Sequence, residues 1–346
     1  MHLINKNLGL LTNYQNLLGI QQNNWPFTVL NGNIQFDSET INEDLENYWD
    51  QYKILFNNQN GNLNANPIEK HPYLNRFQNR TENDLIVIGT MPPFSYVTES
   101  ATPPIFPSIL CQNQIGINRI QQIYNKNYNQ IRPNILYYYG NVGSFWDYVP
   151  NFNPPFNLNS CIEWQEDFQT NISDIIMFCQ REKLPNPSDS NLYNIIPNVE
   201  IINHILNSNI NETILFTSGY PTLDYLNDNK TSTFSIFFKT LNLLGINYLF
   251  ETFGNNINIG DNIEIVLNKG LFNLILELNG KTKCIKIICL PSPSGQAARV
   301  MHHHPFWNNW ALQFNNNFPE KPTTVFRRNI YEFSFNRNYN ALNLLQ

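Results

Sequence analysis

The chain is poor in charge and lacks the cysteine patterns that bind metal or carry redox chemistry. Only 14% of its 346 residues are Asp, Glu, Lys or Arg. Its five cysteines, at 111, 161, 179, 284 and 289, form no C-x-x-C pair. That spacing excludes a paired-cysteine zinc or thioredoxin-type motif and fits reduced thiols, so a cytoplasmic location is expected. No apolar run reaches the roughly 20 residues of a membrane span, so no membrane partner is expected. Met1 to Lys6 lacks the apolar core of a signal peptide. There is no H-E-x-x-H, no H-x-E with P-C-x-x-C, and no glycine ahead of Ser292 to make a nucleophile elbow. Asn279-Gly280-Lys281-Thr282 is not a phosphate loop, because Ile275 stands where its first glycine belongs. Neither a metal nor a cofactor is expected.

What is present is a large apolar content. Hydrophobic residues make up 42% of the chain and aromatics 14%, enough to bury a sizeable core. Residues 1–70 read as an N-terminal extension, with an acidic helix near 40–56 and an Asn/Gly-rich linker at 57–66. Residues 71–346 read as one α/β domain. Leu85 to Ile88, Ile214 to Thr217, Ile246 to Phe250, Leu271 to Leu278 and Cys284 to Leu290 are apolar runs of strand length. Ile263 to Leu267 reads as a further strand of a hairpin-rich segment, and Asn279-Gly280 as its tightest turn. Helices are expected over Ser160 to Lys183, with a break or strand near Ile172, and over Val199 to Leu206, Ser232 to Leu244 and His303 to Phe314. Strands separated by helices imply a central, mainly parallel sheet flanked by helices. Ligands of such sheets sit beyond the carboxyl ends of the strands, where Gly89, Gly219 and Pro291 all lie.

The formal net charge is −6, yet residues 281–346 hold eight basic residues against two acidic ones. That stretch carries +6 and leaves −12 on residues 1–280. Such asymmetry suits either a local phosphate-binding face or an ordinary solvated surface.

One loop lies inside this positive stretch. Leu290-Pro291-Ser292-Pro293-Ser294-Gly295 stops an apolar strand with two prolines and a glycine. Its two hydroxyls, its backbone N–H groups and the nearby Arg299 suit a phosphate; the plainer reading is a connecting loop. Two other segments accompany it. Asp84 to Gly89 ends in Thr90-Met91-Pro92-Pro93, and Tyr137-Tyr138-Tyr139-Gly140-Asn141-Val142-Gly143-Ser144-Phe145-Trp146-Asp147 follows. In this order the three resemble the uracil-DNA glycosylase superfamily, in particular its mismatch-specific and hypoxanthine-type branch. The resemblance spans roughly residues 70 to 315. Supporting segments are His71 to Phe77 and Ile172 to Ile176 with Cys179 and Arg181.

The resemblance implies a monofunctional DNA glycosylase, a monomer acting on DNA without a cofactor. It implies that Gly89, Thr90, Met91 and Pro92 form the pocket floor, that Tyr139 and Phe145 stack on an extruded base, and that Thr217 and Ser218 meet its edge. Ser292, Ser294, Gly295, Arg299 and His302 are the implied DNA contacts. Asn141 and Asp147 are the candidate catalytic residues, to place water and stabilise the cationic sugar. Alternatives stand beside each: core packing for Phe145, a helix cap for Asp147, and Ser144 in place of Asn141. Asp174 and Arg181 are read as structural, the latter in an ion pair with an acid such as Asp189.

The chain departs from the family at two positions. Met91 stands where a water-positioning Asp or Asn is frequent, and Leu290 where the uracil-specific branch has His. A narrow uracil activity is therefore not expected. The candidate substrates are uracil, hypoxanthine or a bulky base such as glucosylated hydroxymethylcytosine in phage DNA. The competing expectation is a catalytically silent nucleic-acid binder of the same fold.

Overall fold

The computed structural model describes residues 27–30, 33–36, 68–70, 83–91, 109–110, 145–152, 158–181, 188–198, 200–208, 212–227, 229–254, 263–278, 281–314 and 320–346. The helix expected near 40–56, together with Pro92, Tyr139, Asn141 and Ser144, lies outside them.

The domain is α/β. Strand β1 (Phe27–Leu30) pairs with β2 (Asn33–Phe36) in a small antiparallel ribbon. The main sheet is built on β4 (Leu85–Gly89), whose five residues are all buried. Leu85 and Val87 point into one apolar cluster while Ile86 and Ile88 point into another. This period-two division is what a strand covered on both faces requires. Beside β4 lie β6 (Thr170–Asp174) and β9 (Thr213–Phe216), and beyond β9 lie β12 (Lys281–Cys289), β11 (Leu271–Leu278) and β10 (Asn247–Thr252). The six-stranded order is β10-β11-β12-β9-β4-β6. The pairings β6/β4, β4/β9 and β9/β12 are parallel, and those of β11 with β12 and β10 are antiparallel. The sheet is thus mixed, with a parallel core. Leu278 pairs with Lys281, the register a two-residue connection demands; Asn279 and Gly280 lie outside the described residues.

One face is covered by α2 (Glu200–Asn207) and α3 (Thr233–Leu243), through Ile201, Ile202, Ile205, Phe234, Phe237 and Phe238. Ser232 caps α3 by accepting from the Ser235 N–H. The other face is covered by α1 (Leu158–Asp167), α4 (Trp307–Gln313), α5 (Pro322–Phe335) and α6 (Tyr339–Leu344), through Trp164, Trp310, Phe326, Ile330, Tyr331 and Leu342. Arg337, between α5 and α6, forms an ion pair with Asp84 and ties the C-terminal helices to the start of β4. No helix among the described residues is long and apolar enough to cross a membrane.

A second, antiparallel sheet has the order β5-β3-β7-β8, from β3 (Ile68–Lys70), β5 (Ile109–Leu110), β7 (Ile176–Arg181) and β8 (Leu192–Pro197). The expected helix over Ser160 to Lys183 therefore ends at Asp167, and its second half is two strands. The chain passes from β6 to β7 through Ile175, whose N–H donates to the Gly89 carbonyl at 2.8 Å. Asn198 staples the crossover, its N–H donating to Ile175 and its side chain to Ser173 and Asp174. Pairing of Ile68–Lys70 with β7 joins the end of the N-terminal region to this sheet.

Two other local expectations are corrected. Ile263–Ile265 is a 3-10 turn rather than a strand, because Val266 bonds back to Ile263 and the chain then reverses at Asn268, which has positive φ. His303 to Phe314 is not one helix. A 3-10 helix covers Gly295–His303, and α4 starts only at Trp307. Pro305 has no N–H to offer and holds His304 extended at φ −67°, ψ 137°.

Candidate functional site

The strand order creates a switch point. From β4 the chain moves outward to β6, then returns to the opposite side of β4 as β9. Parallel sheets open a crevice beyond the carboxyl ends at such a place. Three of the sequence-predicted segments end there, side by side. Thr217 N–H donates to the Ile88 carbonyl at 3.1 Å, and Leu290 N–H to the Phe216 carbonyl at 2.7 Å. The ladder thus carries straight across from Gly89 to Thr217 to Pro291.

Beyond Thr217 the chain turns at Gly219, whose φ is +82°. A side chain there would strike the Ser232 hydroxyl, so only glycine serves. The turn sets Ser218 against α3. The Ser218 hydroxyl accepts from Thr233 N–H at 3.0 Å and lies 3.0 Å from the Thr233 hydroxyl.

Asp189, just before β8, reaches back over the switch point. Thr90 donates to its Oδ1 at 2.9 Å and Ser218 to its Oδ2 at 3.2 Å, while Thr231 holds its backbone carbonyl. Burial pushes the Asp189 carboxyl up to about 6; the hydrogen bond from Thr90, the Arg181 charge and the bond from Ser218 pull the other way, and Asp174 adds to the rise. The residue nevertheless keeps part of its surface exposed. Spacing along the chain gave no sign of this cluster, because its members come from three separate elements.

The serine-proline loop lies on the next strand end. Pro291 is buried, Ser292 and Pro293 are half-buried, and Ser294, Gly295 and Arg299 are exposed. The Ser292 hydroxyl accepts from Ser294 N–H, and the Ser294 hydroxyl from Gln296 N–H, each at 3.3 Å. The oxygens shape the loop, and each hydroxyl proton is left for an outside acceptor. Helix α5 underpins it. Arg327 donates to the Ser294 carbonyl at 2.7 Å, and Tyr331 to the Pro291 carbonyl at 3.3 Å. Arg327 is 2% exposed and has no acidic partner among the described residues. A poorly screened positive charge therefore sits beneath the loop.

Arg327 also donates to the Tyr148 hydroxyl at 3.0 Å, with its guanidinium 5.2 Å from that ring. This bond joins the loop to the 3-10 turn Phe145–Asp147. Asp147 is half-buried there, between the buried Trp146 and Tyr148. Phe145 is fully buried, with Trp146, Trp164, Tyr331 and Phe335 packed around its ring at 5.1 to 6.2 Å. Enclosed in this way, the ring has no face left for a base, and Phe145 is a core residue rather than a stacking platform.

The remaining expected contacts divide. Met91 is buried among the apolar side chains behind the switch point. Thr217 is buried and donates to the Ile88 carbonyl at 3.3 Å, so its hydroxyl serves the sheet rather than a base edge. His302 and His303 are exposed, with ring centres 3.9 Å apart. His304 turns inward instead. Its Nε2 lies 3.1 Å from the Cys289 carbonyl, its Nδ1 accepts from Phe306 N–H, and burial pushes its pKa down to about 3. Among the described residues no group of three or more His, Cys, Asp or Glu could hold a metal ion.

Part of the positive charge of residues 281–346 is spent on ion pairs. Lys283 pairs with buried Glu212 at 2.6 Å, Arg328 with Glu320 at 2.6 Å, and Arg337 with Asp84. Two of these pairs neutralise acids of the preceding chain. The exposed charge beside the loop is Arg299. Burial pushes the Cys161 thiol up to about 12 and raises that of Cys289 as well, which disfavours their thiolates.

No family model, no curated protein and no solved structure matches the chain.

Proposed function

We propose that this protein is a monofunctional DNA glycosylase of the uracil-DNA glycosylase type, which extrudes one nucleotide from DNA and hydrolyses its N-glycosidic bond. The observation that carries the reading is the contiguity of the three strand ends. Gly89-Thr90, Thr217-Ser218 and Pro291-Ser292 follow residues on adjacent strands of one sheet, although they are drawn from positions about two hundred residues apart. One end offers a carboxylate held by two hydroxyls, the other a serine-proline loop with a buried cation below it. A flipped nucleotide needs that pairing: an anion site for its phosphate and a polar site for its base.

In this reading Ser292, Ser294, Gly295 and Arg299 take the backbone, and Asp147, next in the chain to the Tyr148 that shares Arg327 with the loop, stabilises the positive charge that develops on the sugar. Asn141 is the partner expected to place water. Bond cleavage leaves the base as an anion and the sugar as a cation; water adds to the sugar carbon, and its proton leaves through a general base. The test is a gel assay on oligonucleotides bearing uracil, hypoxanthine, hydroxymethylcytosine or its glucosylated form, with alkali to cut abasic sites. Cleavage of at least one supports the reading, and intact DNA from all four contradicts it.

A second reading is a nucleic-acid binder without turnover. Two observations favour it: Met91 and Leu290 stand where the superfamily that the chain resembles carries catalytic groups, and both are buried among apolar side chains. Tight binding of abasic DNA with no base release from any oligonucleotide would establish it.

A further inference from the structure

Two neighbouring strand ends spend their hydroxyl protons on a single carboxylate. Thr90 donates to Oδ1 of Asp189 and Ser218 to Oδ2. With its one proton so committed, Ser218 accepts both from Thr233 N–H and from the Thr233 hydroxyl. The proton of Thr217 is also turned inward, to Ile88. The hydroxyl protons of these side chains at the switch point therefore face protein acceptors. What the cluster offers outward is oxygen lone pairs: a carboxylate has about four lone-pair sites, of which these two bonds use two, and the Thr90 oxygen keeps its own. Such a surface attracts N–H donors and repels carbonyl oxygens.

The carboxylate is also fixed in place. Thr231 bonds the Asp189 backbone, β8 begins three residues later at Leu192, and Arg181 on β7 contributes a favourable charge. A fixed acceptor discriminates between ligands because it cannot turn to suit a wrong one.

We propose that the Thr90–Asp189–Ser218 cluster is the base-selecting contact of this site, and that it takes a nucleobase bearing an exocyclic amino group, of the cytosine type, in preference to the carbonyl edge of uracil or hypoxanthine. The inference rests on the glycosylase reading for the nature of the ligand, an extruded nucleotide, but not on turnover. Cytosine and uracil differ along this edge at C4, an amino group against an oxygen, and at N3, an acceptor against an N–H; a carboxylate set on the C4 substituent therefore favours cytosine.

The experiment measures equilibrium binding of two single-stranded oligonucleotides that differ only by one central cytosine or uracil, to the wild-type protein and to Asp189→Asn. Phosphate contacts are the same in both and cancel. The wild type is expected to hold the cytosine strand about tenfold more tightly, the lower end of what a well-made base-edge contact gives. In Asp189→Asn, whose amide offers a donor as well as an acceptor, the preference is expected to fall to within about twofold. Equal binding or a uracil preference in the wild type overturns the inference, and needs no variant to be read. A cytosine preference that persists in a folded Asp189→Asn protein, its fold checked by circular dichroism, overturns it too. Abasic-site formation is scored on the same samples. Intact DNA from all four oligonucleotides of the gel assay, with the binding preference retained, removes the glycosylase reading alone. Turnover of uracil in preference to cytosine-type bases removes this inference alone.

Discussion

Arg327 donates a 2.7 Å hydrogen bond to the carbonyl of Ser294. Through that contact a helix near the C-terminus shapes a loop at the end of β12, and the same guanidinium reaches Tyr148 beside Asp147. Arg327→Met keeps the stem and removes the fork. It leaves the Tyr148 hydroxyl and the Ser294 carbonyl unpaired, so a loss of about 1–3 kcal/mol in stability is expected, read as a lowered denaturant midpoint. DNA affinity is expected to fall as well. Arg299→Ala, an exposed change, is expected to leave stability within about 0.5 kcal/mol and to lower the salt dependence of DNA binding by about one unit of slope. A salt slope unchanged by Arg299→Ala would remove Arg299 from the interface.

Phe145 separates packing from stacking. Its ring lies inside an aromatic cluster of α1 and α5, so Phe145→Ala is expected to cost about 3–5 kcal/mol. Phe145→Leu, closer in volume, is expected to retain most activity once folded. A Phe145→Leu protein of wild-type stability that had lost base release would reverse the assignment.

Asp147 directly precedes Tyr148, whose hydroxyl accepts from the same Arg327 that holds the Ser294 carbonyl. Asp147→Ala is expected to lower single-turnover base release by about 100-fold or more while DNA binding changes by no more than a few-fold. Asn141→Ala is expected to behave likewise. Equal rates in variant and wild type would dismiss both residues from the chemistry.

Asp189 has its carboxyl raised to about 6 by burial, from an ordinary value of 3.8. Between about pH 4 and 6 the folded protein therefore holds a proton there that the unfolded chain has already released. The stability this group contributes is present below about pH 4 and is lost as pH rises through about 6. Thr90, Ser218, Arg181 and Asp174 are the groups that set its titration. Asp189→Asn abolishes the proton uptake, so its stability relative to wild type is expected to rise from pH 4 to pH 7. The rise is of order 1 kcal/mol per pH unit at most. Paired urea titrations at pH 4, 5, 6 and 7 measure it; a constant difference across the series contradicts the assignment.

Much of the sheet was legible because its strands are mainly apolar runs bounded by turn residues. Leu85 to Ile88 and Leu271 to Leu278 are of this kind, as is the capped α3. The segment from Thr170 to Arg181 misled because one bend at Ile175 separates two strands, and their combined length reads as a helix. Helix α5 was missed although its signals are present: Pro322 at the first turn, then Phe326, Ile330 and Tyr331 one turn apart. The sequence marked the loop at 291–295 by its prolines but gave no hint that Arg327 supports it. Asp189 was legible only as a partner for Arg181. Its hydroxyl donors lie 99 and 29 residues away, and only the strand order brings them together. The charge asymmetry misled for the same reason, since Lys283 and Arg337 pair with Glu212 and Asp84 from distant parts of the chain.

The central claim is that the carboxyl ends of β4, β9 and β12 receive one extruded nucleotide. The measurement that tests it most directly is a crystal structure with DNA carrying a single 2′-fluoroarabino nucleotide, which resists cleavage. The account predicts that nucleotide turned out of the stack, its base within hydrogen-bond distance of Thr90 or Asp189 and an adjoining phosphate on Ser292 to Gly295. DNA left fully stacked, or bound on a face remote from these strand ends, would contradict it.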